Sequence, residues 1–164
     1  MTIDSTEFRE VMGQFATGVT AVTLPSEPPH GITVNAFASV SLDPPLVLIC
    51  LDHDTHSHEL LDSGAVDGFG ITVLAADQQH LGDHFARIDE LDVDPFETEP
   101  TTTATTGAPL FTEGIAVIDC TVEDAHVAGD HTIYVGGVEH AEILDAEADA
   151  VTYFRGEWSS ISSS

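Results

Sequence analysis

The chain has 164 residues, with 3 Lys+Arg against 29 Asp+Glu, giving a formal net charge of −26. All three cations are arginines (Arg9, Arg87 and Arg155), so phosphate backbones and anionic headgroups would be repelled, which excludes nucleic-acid binding and membrane attachment. Disorder is excluded too: 42% of residues are apolar and fall in periodic segments, and the length fits one domain over 1–164, its core about 8–158 and a polar tail 159–164.

In chain order, Phe8, Val11, Met12 and Phe15 stand at i, i+3, i+4, i+7, which predicts an amphipathic helix started by Asp4 with Glu7 and stopped at Gly18. The β-branched run Val19 to Leu24 predicts a strand ending in a Pro-rich turn. Gly31 to Val40 and Leu46 to Leu51 predict two more strands parted by Asp43-Pro44-Pro45, and Ile71 to Leu74 a short one. Leu81, Phe85 and Ile88 carry a helical period through Ala75 to Arg87. The acidic, Thr- and Pro-rich stretch 88–109 reads as a long exposed loop. Strands return at Ile115 to Val122, His131 to Glu142 and Val151 to Phe154, before a polar SSISSS end expected to fray. Many close-spaced strands without βαβ alternation argue for a mainly β fold, a largely antiparallel barrel or sandwich flanked by helices.

Only 20% of residues are charged, so the excess arises from missing cations as much as from added acids. That suits molar salt, where the Debye length is about 3 Å. The expectation is a halophilic protein. Cys50 and Cys120 lie in apolar runs without a disulfide framework, and no leader or long apolar span is visible, so a soluble cytoplasmic protein is expected.

No nucleophile elbow, CxxC, HExxH or GxGxxG is present. His53, His56 and His58 fall within six residues, and His80 and His84 share a helix face. Such imidazoles either converge on a metal or stand neutral where a base might otherwise be, and the second reading is taken, with no metal. Thr33, Asn35, Ser39 and Ser41 alternate with Val34, Ala36, Ala38 and Val40, presenting hydroxyls that could edge a flat heteroaromatic ring or simply pair across strands. Thr55 and Ser57 follow a strand, where hydroxyls either receive a phosphate or are solvated. Arg87, after Phe85-Ala86, is the cation best placed for such a phosphate. His131, after Gly129-Asp130, opens a strand either as a site group or as a turn residue.

These pieces, in the order FREVMGQFATGV, GITVNAFASVSLDPPLVLICL, the T-H-S loop, ITVLAADQQHLGDHFA, GAPLF, GDHTIYVGGV and YFRGEW, resemble the flavin reductase family over about 8–158. The resemblance implies an antiparallel Greek-key split β-barrel, the FMN-binding split barrel, with two or three flanking helices. It implies NAD(P)H-dependent reduction of FMN, or of FAD, by hydride transfer to flavin N5. It also implies a homodimer and a flavin-dependent monooxygenase as partner. By position, Thr33, Val34, Asn35 and Ala36 would line the isoalloxazine, with Ser39, Val40 and Ser41 beside it and Cys50, Leu51 and Asp52 at its edge. Thr55, Ser57, Phe85, Ala86 and Arg87 would hold the phosphate. His131 would face the nicotinamide side as the catalytic group, joined on the hydride-donor side by Tyr153 and Arg155. The chain departs from the family where basic residues are usual, at His53, Asp54, Asp83 and His84, and reads Asp94-Pro95-Phe96 where a basic element is expected. The competing readings are a flavin-dependent oxidase or oxygenase and a non-catalytic flavin-binding protein.

Overall fold

The computed structural model describes residues 2–163. In chain order it contains α1 (Ser5–Met12), β1 (Thr17–Gly18), β2 (Thr20–Leu24), β3 (His30–Val34), β4 (Phe37–Leu42), β5 (Pro45–Asp52), α2 (His56–Asp62), β6 (Gly68–Val73), a 3-10 turn (Ala76–Gln78), α3 (Gln79–Phe85), α4 (Pro95–Thr98), β7 (Thr101–Thr102), β8 (Leu110–Phe111), β9 (Ala116–Ala128), β10 (His131–Ile143), β11 (Ala150–Phe154) and β12 (Glu157–Ile161).

Seven strands form one antiparallel sheet in the order β3-β2-β6-β9-β10-β5-β4. β3 and β4 follow one another in sequence yet lie at opposite edges, so the sheet must curl until its edges meet. Asn35 and Ala36 span that seam, and the Cys50 N–H donates to the Ala36 carbonyl at 3.1 Å. This divides the single strand expected over Gly31 to Val40. Thr33 therefore sits at one sheet edge and Ser39 and Ser41 at the other, rather than on one continuous hydroxyl face. Val40 bulges out of register between Ser39 and Ser41 and is exposed.

The curled sheet encloses Val22, Leu24, Ile49, Leu51, Phe69, Ile71, Cys120 and Tyr134. A second cluster of Val19, Ala21, Leu74, Leu81, Phe85, Phe111 and Val151 fixes α3 and the β1-β11-β12 sheet to the outside. The barrel wall closes tightly at Gly136, where an added Cβ would stand 2.7 Å from Phe69 Cζ and 2.8 Å from Cys120 Cβ. Gly136→Ala is expected to destabilise by about 2 kcal/mol through overpacking, read as a lower melting temperature in molar KCl. An unchanged melting curve would refute that packing argument.

Three expectations are corrected. The first helix ends at Gly13 rather than Gly18, although Asp4 is its N-cap as expected, and the apolar stripe of Phe8, Val11, Met12 and Phe15 is exposed. The stretch 88–109 is not a free loop. Pro95 is buried, Phe96 stacks on Phe111 with centroids 5.6 Å apart, and the buried Asp119 carboxylate accepts the Thr106 N–H at 2.8 Å. The polar end is not wholly frayed either, because 157–161 pairs with β11.

Candidate functional site

Where the two edges of the sheet meet, β3, the turn after β5, α2 and the end of α3 surround a cleft of about 880 Å³. The walls follow from local chemistry. Thr55 caps α2, its hydroxyl accepting the His58 N–H at 3.2 Å and donating to the Asp52 carbonyl at 2.7 Å. α2 was not read from the sequence; its signal was this Thr cap with Glu59 in the first turn. α3 is held to β3 by the Thr33 hydroxyl, which donates to the Gly82 carbonyl at 2.6 Å. The Phe85 ring packs on Gly31, where a Cβ would lie 2.6 Å from Phe85 Cε1. Arg87 follows α3 in the left-handed region, at φ 58°.

Of the residues singled out from the sequence, Thr33, Thr55, Phe85, Ala86 and Arg87 line the cleft. Ser57 lies beside it on α2, fully buried, with a hydroxyl that has no hydrogen-bond partner. Val34 is buried, while Asn35 and Ala36 are exposed at the seam. Leu51 is core, Cys50 and Asp52 are half-buried on β5, and Asp52 stands opposite His131 of β10. His131 Nδ1 binds Asp130 Oδ1 at 2.7 Å. That hydrogen bond holds the Asp130 carboxyl below the usual carboxylate range. The Asp130 carbonyl in turn accepts the His53 N–H at 3.0 Å, which places His131 just beyond the His53 rim of the cleft.

Tyr153 and Arg155 stand apart on the outer sheet. Tyr153 meets Trp158 edge-on, and Arg155 Nε donates to Gln14 at 2.8 Å. Neither lines the cleft. His80 and His84 are separately engaged, His80 with Glu99 at 2.8 Å and His84 Nδ1 accepting the Leu91 N–H at 3.0 Å.

The residues sequence reasoning missed are mainly His30, Glu59 and Asp62, brought to the cleft by the seam and by α2. His53 and His58, noted only as a metal alternative, both reach the buried Thr132 hydroxyl, at 3.0 and 3.1 Å. Burial, His56 and Arg87 together push the His30 imidazole below its ordinary value.

These groups suit a flat ring bearing a phosphate. Arg87 and several imidazoles offer N–H donors, the orphaned Ser57 hydroxyl is a buried polar atom in need of a partner, and Phe85 and Ile32 supply apolar wall.

A family model described as a flavin reductase like domain matches residues 12–162. The NADH-dependent FAD reductase of Streptomyces globisporus is 41% identical over 137 residues, covering 82% of this chain and 74% of that protein. An Agrobacterium fabrum protein named FMN reductase (NADH) SmoA is 40% identical over 88% of this chain and 80% of its own length. Among solved structures, BorF, the flavin reductase component of a bacterial two-component tryptophan halogenase, superposes with a TM-score of 0.88 at 39% identity, covering 98% of this chain and all of that one.

Proposed function

This chain belongs to the flavin reductase-like family, and from that premise we infer an NADH-dependent oxidoreductase that reduces FMN or FAD and delivers the product to a partner monooxygenase. The observation that carries the reading is the seam cleft, lined by Arg87, four imidazoles, Thr33, Thr55 and the Phe85 ring. When bound, the flavin would supply the redox chemistry, as acceptor of a hydride from the nicotinamide. The protein's own contribution is orientation and exclusion of water. Arg87 is assigned to the phosphate, and the wall made by Phe85 and Ile32 keeps water from the ring. His131, held at Nδ1 by Asp130, is assigned the proton at Nε2 on the donor side.

The direct test is purification in molar KCl, addition of FMN or FAD with NADH, and loss of nicotinamide absorbance. A yellow protein that leaves NADH untouched refutes the reading. NADPH should be the poorer donor, because its extra phosphate adds about −1.5 to −2 charge to a cleft with one arginine. We expect at least about a tenfold lower kcat/KM for NADPH at low salt, each tenfold step being about 1.4 kcal/mol; equal values would refute the electrostatic argument.

Three further assignments belong to the same proposal. The apolar stripe of α1, exposed in the single chain, supports a homodimer that covers it with a second copy. Sedimentation should give a dimer in molar KCl that dissociates as salt is withdrawn, and a monomer in high salt refutes it. The charge of −26 supports a halophilic protein, expected to lose structure in dilute buffer. A cytoplasmic home is supported by two free thiols, Cys120 being pushed up to about 12 by burial, Asp119 and Glu139.

A further inference from the structure

We propose that His30, His53, His56 and His58 make the cleft a proton-gated receptor for phosphate-bearing ligands, holding a diphosphate when protonated and releasing it when neutral. The inference rests on the flavin reading above for its ligand, and concerns what this chain uses to hold the charged end.

Four imidazoles and one guanidinium line the cleft together with the carboxylates of Asp54, Glu59 and Asp62. With the histidines neutral, Arg87 against three acids leaves the lining at a formal −2; with all four protonated it becomes +2. Histidine is the side chain whose charge changes between about pH 5 and 8, so the sign of the lining reverses within the range a cell can visit. No lysine in the chain can substitute as a fixed charge.

The imidazoles are not equivalent. His56 Nδ1 already meets Glu59 at 3.1 Å, so part of its charge is met within α2. Among the described residues His53 and His58 have no carboxylate within ion-pair distance; their rings lie 4.6 Å apart, and both Nε2 atoms reach the single Thr132 hydroxyl. One hydroxyl carries one proton. In the neutral pair it donates to one Nε2 and accepts from the other, whereas in the doubly protonated pair its oxygen accepts from both. The buried Thr132 thus accommodates either state, and only in the doubly protonated pair do both rings keep an Nδ1–H for a ligand. Two imidazolium ions so close repel, and an anion between them relieves that repulsion, so binding and proton uptake reinforce one another. His30 faces His56 from β3 and Arg87 from the end of α3. Burial and those two neighbours disfavour its charge, and an anion in the cleft would offset them.

The remaining charges around the cleft set the background. Asp52 and Asp130 lie beyond His53, with His131 bonded to Asp130; Tyr134 of β10 stands 6.1 Å from the His58 ring; and His84, Glu90 and Asp94 flank Arg87 on its outer side. The negative charge of the acids favours protonated imidazoles.

The test compares FAD with riboflavin, titrated into the full chain at fixed KCl from about pH 8 to about pH 6. FAD is the informative probe because its diphosphate keeps a constant charge across that range, whereas the FMN monoester gains its second charge near pH 6. The expected result is at least about tenfold tighter FAD binding at the lower pH, corresponding to one linked proton, with riboflavin unaffected. Calorimetry in buffers of different ionisation enthalpy should show net proton uptake with FAD alone. H53Q together with H58Q should flatten the FAD profile, and the exposed single change His56→Gln, which cannot disturb the fold at Thr132, should reduce the slope less. A pH-independent FAD affinity, or an equal slope with riboflavin, overturns the inference while leaving the flavin reading intact. Failure of both flavins to bind at any pH overturns the flavin reading, and this inference with it.

Discussion

Arg87→Gly is expected to raise the KM for FMN and FAD ten- to a hundredfold while leaving the melting temperature unchanged or higher. The two halves of that outcome have separate causes. Arg87 occupies the left-handed region at φ 58°, where its N–H donates to the His84 carbonyl at 3.0 Å. An L-residue is disfavoured there by roughly 1 kcal/mol and glycine is not, so the backbone alone would prefer glycine. What glycine lacks is the guanidinium, the only fixed cation lining the cleft. A hydrogen bond to a charged group contributes about 1.5–3 kcal/mol, which converts to the expected loss. Arg87→Lys, retaining charge without the fork, should recover part of it. The contrast should shrink in molar KCl, because Arg87 is exposed and its longer-range attraction is screened. An unchanged KM across several salt concentrations would show that the phosphate does not rely on Arg87.

The salt dependence of that experiment brings out what was legible in the sequence and what was not. Strand content, antiparallel pairing, the Asp4 cap and the helix through Leu81 and Phe85 followed from period and composition, since each is set by neighbours within a few residues. The position of Arg87 beside a cleft also followed, from Phe85-Ala86 before it. Nothing local could place His30 near His56, with rings 4.9 Å apart, because that contact depends on two edges of one sheet meeting at Asn35 and Ala36. The continuous strand read over Gly31 to Val40 failed for the same reason. Alternation of hydroxyl and apolar residues continues through the seam, while the hydrogen-bond partners change from β2 to β5. The α1 stripe misled differently. Its helical period is real, but period reports an apolar face and not what covers it, and in a single chain nothing does.

His131→Ala should lower kcat with NADH about a hundredfold and leave the dissociation constants of FMN and FAD within about threefold, the lower part of the range for loss of a positioned proton-transfer group. The geometry gives the reason for the split. His131 opens β10 beyond the His53 rim and does not line the cleft where the phosphate is assigned, so flavin binding has little to lose. Its Nδ1 is taken by Asp130 at 2.7 Å, which fixes the ring and leaves Nε2 as the only nitrogen available to a reactant. Asp130 acts through His131, so Asp130→Asn should lower kcat by only about tenfold, again sparing flavin affinity. The pH dependence separates the two residues. Hydrogen bonding to His131 holds the Asp130 carboxyl below its usual range, so Asp130 stays ionised between about pH 5 and 8. With FAD, whose diphosphate keeps a constant charge there, the side chains able to change kcat between about pH 5 and 8 are imidazoles. If that change is due to His131, it should vanish in His131→Ala and persist in Asp130→Asn. A His131→Ala protein with undiminished turnover and an unaltered pH profile would remove His131 from the reaction and leave orientation of the two rings as the protein's whole contribution.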